Sequence, residues 1–249
     1  MFAGGLDALP HYAQEARSAA AAQPVSDIMY GHAALQKTVQ VFYPEVISDI
    51  CDLNWSVIDA AELTRVAWAY YHFSVQFREN LKAARELHPD DEQLEELDRG
   101  ERNTDNLSPW SGVAAPCERM DHDEFMRRTL ELTPIEKGER DRLEAIGRHY
   151  LDTVRSLDET SRALSIASYE DGGLEKLFEA MLQAPRWDGP LLQAFRHFLI
   201  KHIEFDSDPD AGHGALCRHL TPDDRVLPFW IAFETMLLEA VPRLASAKR

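Results

Sequence analysis

The sequence predicts an all-α fold, a bundle of seven or eight helices in a single domain. Three observations predict it. Strand signals are nearly absent, with no convincing alternation of apolar residues between turn residues. Apolar residues recur instead at threes and fours along most of the chain. A chain of 249 residues, 45% of them apolar, is also long enough to bury a sizeable core.

In chain order, residues 1–25 are Ala-rich and weakly patterned and read as a loosely held arm, which leaves 26–249 for the helical domain. From Leu63, the positions Val66, Ala67, Tyr70, Tyr71, Ser74, Phe77 and Leu81 make one mainly apolar stripe. His88-Pro89-Asp90-Asp91 ends that helix and supplies a cap for the next. Residues 107–117 hold two prolines and a glycine and read as a loop. A short helix follows on Phe125, Thr129, Leu130 and Leu132. Thr133-Pro134 then opens a longer one, with Pro at its first position and Glu136 near its positive end. That helix carries Leu143, Ile146, Tyr150, Val154 and Leu157, and the run 163–170 is rich in small and apolar residues. Asp171-Gly172-Gly173 and Trp187-Asp188-Gly189-Pro190 are further breaks, enclosing a stripe on Leu174, Leu177, Phe178, Met181 and Leu182. Leu191, Leu192, Phe195, Phe198, Leu199 and Ile203 define the next helix, which residues 206–214 interrupt. Phe229, Ile231, Phe233, Met236, Leu237 and Val241 define the last.

Composition narrows the function. A net charge of −17 repels polyphosphate, so no nucleic-acid partner is expected. No apolar run approaches the roughly 20 residues that span a bilayer, and the N-terminus has no basic region leading into an apolar stretch. Cys51, Cys117 and Cys217 are scattered and odd in number, which argues against a disulfide framework and points to a reducing cytoplasm.

Ten histidines offer the chemistry. His11, His32, His88 and His219 lie near helix ends or in polar surroundings, His149 and His197 beside arginines, and His72 among aromatics as core or pocket lining. The segment from Lys201 to Gly214 differs. His202 and Asp206 are four apart and share a helix face, and Pro209 and Gly212 can bend His213 back toward it. Two imidazoles and a carboxylate form a mixed N/O set that suits iron or manganese. The same residues also read as a solvated acidic turn. Glu170 closes a run of small and apolar residues, where a buried carboxylate would be costly without a cation; it also reads as a polar helix end. Glu118 and His122 are again four apart, in a region that otherwise reads as a cap with Asp121 or Asp123 at its head. No histidine has Glu three residues before it, which argues against ferritin-like di-iron bundles.

A carboxylate-then-histidine segment near the middle, a lone Glu after an Ala/Ser-rich helix and a late His-x-x-x-Asp…His-Gly segment resemble the haem-oxygenase-like di-iron oxidases, which share their fold with haem oxygenase and the TenA-type thiaminases. Tyr71-His72-Phe73-Ser74-Val75-Gln76-Phe77 also resembles the long aromatic-rich helix of that family. The resemblance implies metal ligands at His122, Glu170, His202, Asp206 and His213, with Glu101, Glu118 or Asp105 as the remaining carboxylate. The chain departs from the family pattern in two places. His213 follows Asp206 by seven residues rather than three or four, and the loop before His122 is long.

The resemblance implies two ferrous ions, dioxygen as cosubstrate and oxidation of a small organic acid or amino-acid-like molecule, by N-oxygenation, desaturation or oxidative C–C cleavage. An external electron donor and a homodimer are compatible with it. Metal would order residues 204–216 by relieving repulsion among acids. Tyr71, His72, Phe73, Gln76, Phe195 and Arg196 are the substrate-pocket candidates. Two other readings compete: a metal-free TenA-like enzyme, for which no cysteine lies in a recognisable catalytic setting, and an acidic helical interaction protein.

Overall fold

A computed structural model describes residues 42–206 and 212–245, apart from the side chain of Asp206. The expected arm at 1–25, together with His11 and His32, lies outside the described residues, as do 207–211 of the segment expected to order with metal.

Among the described residues the chain is all-helical, with ten α-helices rather than seven or eight and no strand. In order they are α1 (Tyr43–Cys51), α2 (Ala60–Leu87), α3 (Glu92–Glu101), α4 (His122–Glu131), α5 (Lys137–Arg155), α6 (Glu159–Glu170), α7 (Gly173–Met181), α8 (Pro190–Asp206), α9 (His213–Cys217) and α10 (Leu227–Ala240). The additional elements are short: α1 precedes the long helix, and α9 is five residues after the break that follows α8.

Helix α2 is the axis of the bundle and packs on α3, α4, α5, α6, α8 and α10. Its start is fixed by Asp59, whose side chain accepts from the Glu62 N–H while Glu62 returns the bond to the Asp59 N–H. It ends before His88, and Asp91 caps α3 by accepting from the N–H groups of Gln93 and Leu94. Helix α5 begins at Lys137, not at Pro134, with Glu136 as its N-cap. Asp121 heads α4, but its carboxylate accepts from the Asn103 N–H instead of from the helix.

The core is aromatic. Phe73 meets Tyr169 edge-on (5.0 Å between centroids) and Phe233 at 4.6 Å, and Tyr169 meets Trp230 at 5.1 Å. On the other side Tyr70 packs against Phe178, Phe195 and Phe198. Close approach of α5 to α2 depends on Gly147: a Cβ there would lie 2.2 Å from the ring of His72. No helix among the described residues is long and apolar enough to cross a membrane.

Candidate metal centre

Four helix termini and the middle of α8 meet at one buried point. Glu101 is the last residue of α3, His122 the first of α4, Glu170 the last of α6 and His213 the first of α9. His202 projects from within α8, and all five side chains are buried. Glu101, His122 and His202 each offer a donor atom within 4.8 Å of the others.

The outward nitrogens of two rings fix what the inward ones present. His122 Nε2 lies 2.9 Å from Asn106 Oδ1, and the same amide donates through Nδ2 to the Gly100 carbonyl at 3.0 Å. Asn106 Oδ1 can only accept, so Nε2 carries the proton and Nδ1 turns a lone pair inward. His202 Nδ1 donates in the same way to the Phe198 carbonyl at 2.8 Å, which leaves Nε2 as an acceptor. These two inward nitrogens stand 3.0 Å apart, with Glu101 Oε2 2.7 Å from His122 Nδ1. Three electron-rich atoms at such separations repel unless a proton or a cation lies among them. A divalent ion with ligands at about 2.0–2.2 Å satisfies all three at once.

The other oxygen of Glu101 faces a second group. Oε1 is 3.2 Å from His213 Nδ1, and that nitrogen is 3.4 Å from Glu170 Oε2. Glu101 Oε1 is buried without an aligned hydrogen-bond donor among the described residues. One carboxylate therefore stands between two sets of donors, one oxygen toward each. Gly214 permits this approach of α9, since a Cβ there would come within 2.8 Å of the Glu170 carbonyl oxygen.

The electrostatics follow from burial. Burial pushes the Glu101 carboxyl up, but the imidazoles of His122, His213 and His202 outweigh it and hold the group down at about 2. Burial first, and His122 beside it, push His202 down to about 3. Glu101 and His202 are thus in their metal-binding forms, anionic carboxylate and neutral imidazole, near neutral pH.

Tyr70, Phe73, Phe77, Leu174 and Phe198 line a cavity with Glu101, His122, Glu170 and His202. It holds about 390 Å³ of empty space including its mouth, and its enclosed part, about 20 Å³, admits little more than one water-sized body. Ser74, Arg78, Arg102 and Asp123 complete the lining.

No family model, curated protein or solved structure matches this chain.

The candidates named from sequence divide. Glu101, His122, Glu170, His202 and His213 come together, whereas the side chain of Asp206 lies outside the described residues. Glu118 is not brought to the cluster. It precedes α4 in the loop, so its spacing of four from His122 carries no helical meaning, and it pairs with Arg128 at 2.7 Å. Asp105 is exposed.

Of the pocket candidates, Phe73 lines the cavity; the others face elsewhere. The lining face of α2 is Tyr70, Phe73, Ser74, Phe77 and Arg78, at helical spacing. Tyr71 falls just past the Arg78 edge of that face, by about 20° of rotation, and does not line the cavity. His72 points at α5, with Nδ1 donating to the Trp68 carbonyl at 3.0 Å. Gln76 accepts from the hydroxyls of Tyr150 (2.8 Å) and Tyr169 (3.3 Å). Phe195 packs behind the wall against Tyr70 and Trp187, and Arg196 is exposed. Asn106 and Arg78 were not singled out by sequence reasoning. Asn106 lies in a run dense in potential ligands, and Arg78 continues the i, i+4 series of Tyr70 and Ser74, the one signal that points to it.

Proposed function

We propose that the protein is a non-haem di-iron, O₂-dependent oxidase of the haem-oxygenase-like type, acting on a small organic acid or amino-acid-like substrate. The observation that carries the reading is Glu101, a buried carboxylate with Oε2 at 2.7 Å from His122 and Oε1 at 3.2 Å from His213. A carboxylate turned both ways between imidazoles suits a bridge between two metals. The mixed imidazole and carboxylate set suits a transition ion such as iron or manganese rather than calcium. The order of these residues along the chain is that of the resembling family.

Glu101, His122 and His202 would hold one ion, and Glu101, Glu170 and His213 the other. When bound, the ferrous pair would supply the electrons that begin the reduction of dioxygen. The chain's own residues do the rest. Asn106 and the Phe198 carbonyl aim the two imidazoles. Tyr70, Phe73, Phe77 and Phe198 keep water from the centre and leave an apolar face for the substrate body. No cysteine lines this cavity, which disfavours the thiaminase-like alternative.

Anaerobic loading with Fe(II), followed by metal analysis, tests the reading. Wild-type protein is expected to retain two irons per chain, and His202→Ala and Glu170→Ala to lose them. Admission of oxygen to the loaded protein should give a transient visible absorption. Wild-type protein that retains no iron would refute the reading in favour of an interaction protein.

A further inference from the structure

We propose that Arg78 anchors the carboxylate of a small, otherwise apolar organic acid at the mouth of this cavity, an inference that rests on the di-iron reading for the reaction but not for the binding. The cavity wall is aromatic and aliphatic, and Arg78 is a cation on the lining face of α2, one turn beyond Ser74. Its side chain is 42% exposed while that of its partner Asp123 is 12% exposed, so the guanidinium reaches both solvent and the interior.

Arg78 meets its carboxylate through Nε, as Arg65 meets Glu139, and differs in this from three other arginines of this chain. Arg127 on Glu124, Arg142 on Glu139 and Arg155 on Glu79 each engage a carboxylate with two nitrogens. Arg78 gives Asp123 only its Nε, at 2.9 Å, and its two Nη groups make no hydrogen bond to the described residues. A guanidinium held by one nitrogen keeps a donor fork that matches a carboxylate in two parallel bonds. Asp123 directly follows His122, so the ion pair that aims Arg78 is tied to the metal-centre side of α4. The chain is strongly acidic and two carboxylates already sit in the cluster, so an anionic ligand needs such a cation to approach at all. The small enclosed volume favours a compact acid whose body displaces little, with its charged end left at the mouth.

Calorimetric titration with propanoate and butanoate, each against its primary amide, tests this on both metal-free and Fe(II)-loaded protein under anaerobic conditions. Wild type should prefer acid over amide by about tenfold to a hundredfold, the range of a charge-assisted hydrogen-bonded pair. Arg78→Gln should remove that preference at unchanged iron stoichiometry, and Arg78→Lys should restore part of it. Asp123→Asn should tighten acid binding severalfold by removing the competing carboxylate, an effect that a merely helix-tying role would not give. It also carries the test should Arg78→Gln fail to fold. The proposal is overturned if Arg78→Gln keeps the wild-type preference, if Asp123→Asn leaves affinity unchanged, or if wild type shows no preference. Arg78-dependent acid binding in a protein that takes up no iron would uphold the anchor and sink the di-iron reading.

Discussion

Replacing Asn106 by Leu removes the acceptor that holds His122 Nε2–H at 2.9 Å and the donor that reaches the Gly100 carbonyl at 3.0 Å. Two consequences follow from the geometry. The ring loses the partner that keeps Nδ1 turned toward Glu101 and His202, and the loop that carries Asn106 loses its tie to the end of α3. Losing such a partner behind a metal-bound histidine costs 10- to 100-fold in affinity, or about 1.4–2.7 kcal/mol. Competition between the protein and a chromophoric chelator for Fe(II), without oxygen, measures this directly. Asn106→Asp is the control, because it keeps an acceptor for Nε2–H and should bind nearer to wild type. If Asn106→Leu binds iron within twofold of wild type, the orientation argument is refuted, and with it the claim that both inward nitrogens are presented as lone pairs.

Three further outcomes are expected. Glu101→Gln should reduce bound iron to less than one per chain by metal analysis, since the neutral amide cannot face two cations; retention of both irons would refute its bridging place. Gly147→Ala should destabilise the fold by about 1–3 kcal/mol, because its Cβ would collide with the His72 ring, and should lower the thermal midpoint by several degrees in calorimetry. Metal-free protein should lose stability as pH falls below about 6.5, where unfolded imidazoles take up protons. Burial lowers the affinity of His72 for a proton and holds His202 near 3, so in this range the unfolded chain binds more protons than the fold and acid favours unfolding. Denaturant titrations across pH 7 to 5 should show this slope, and His72→Leu should flatten it.

The long α2, the breaks at His88-Pro89 and Trp187-Asp188-Gly189-Pro190, and the cap at Asp91 were all legible, because apolar period, Pro and Gly act locally. Pro134 misled as a helix start because the backbone stays non-helical through Glu136, the N-cap position two residues on. The donors at Glu170, His202 and His213 stood out as acids or imidazoles in unusually apolar or turn-flanked company. Glu118 stood out for a spacing that means something only inside a helix, and α4 starts after it. The pocket face was misread by a rotation: Tyr71, His72 and Gln76 share the aromatic helix with Tyr70 and Phe73, but nothing in the local sequence says which stripe meets α3 and α8 and which meets α5 and α6. Asn106 and Arg78 were only faintly marked for another reason, since their roles come from partners 16 and 45 residues away.

That four of the five assembled donors stand at the first or last residue of a helix separates ligand placement from chain counting. Each helix is seated by its own packed face, so the connection beyond its terminal donor can lengthen or shorten without dragging the donor along. His213 is positioned by α9 resting on α3 and α6, not by its distance from Asp206, and His122 by α4 resting on α2 and α8, not by the length of the segment after Glu101. Insertions at these junctions would therefore remodel the rim around the centre while sparing its grip.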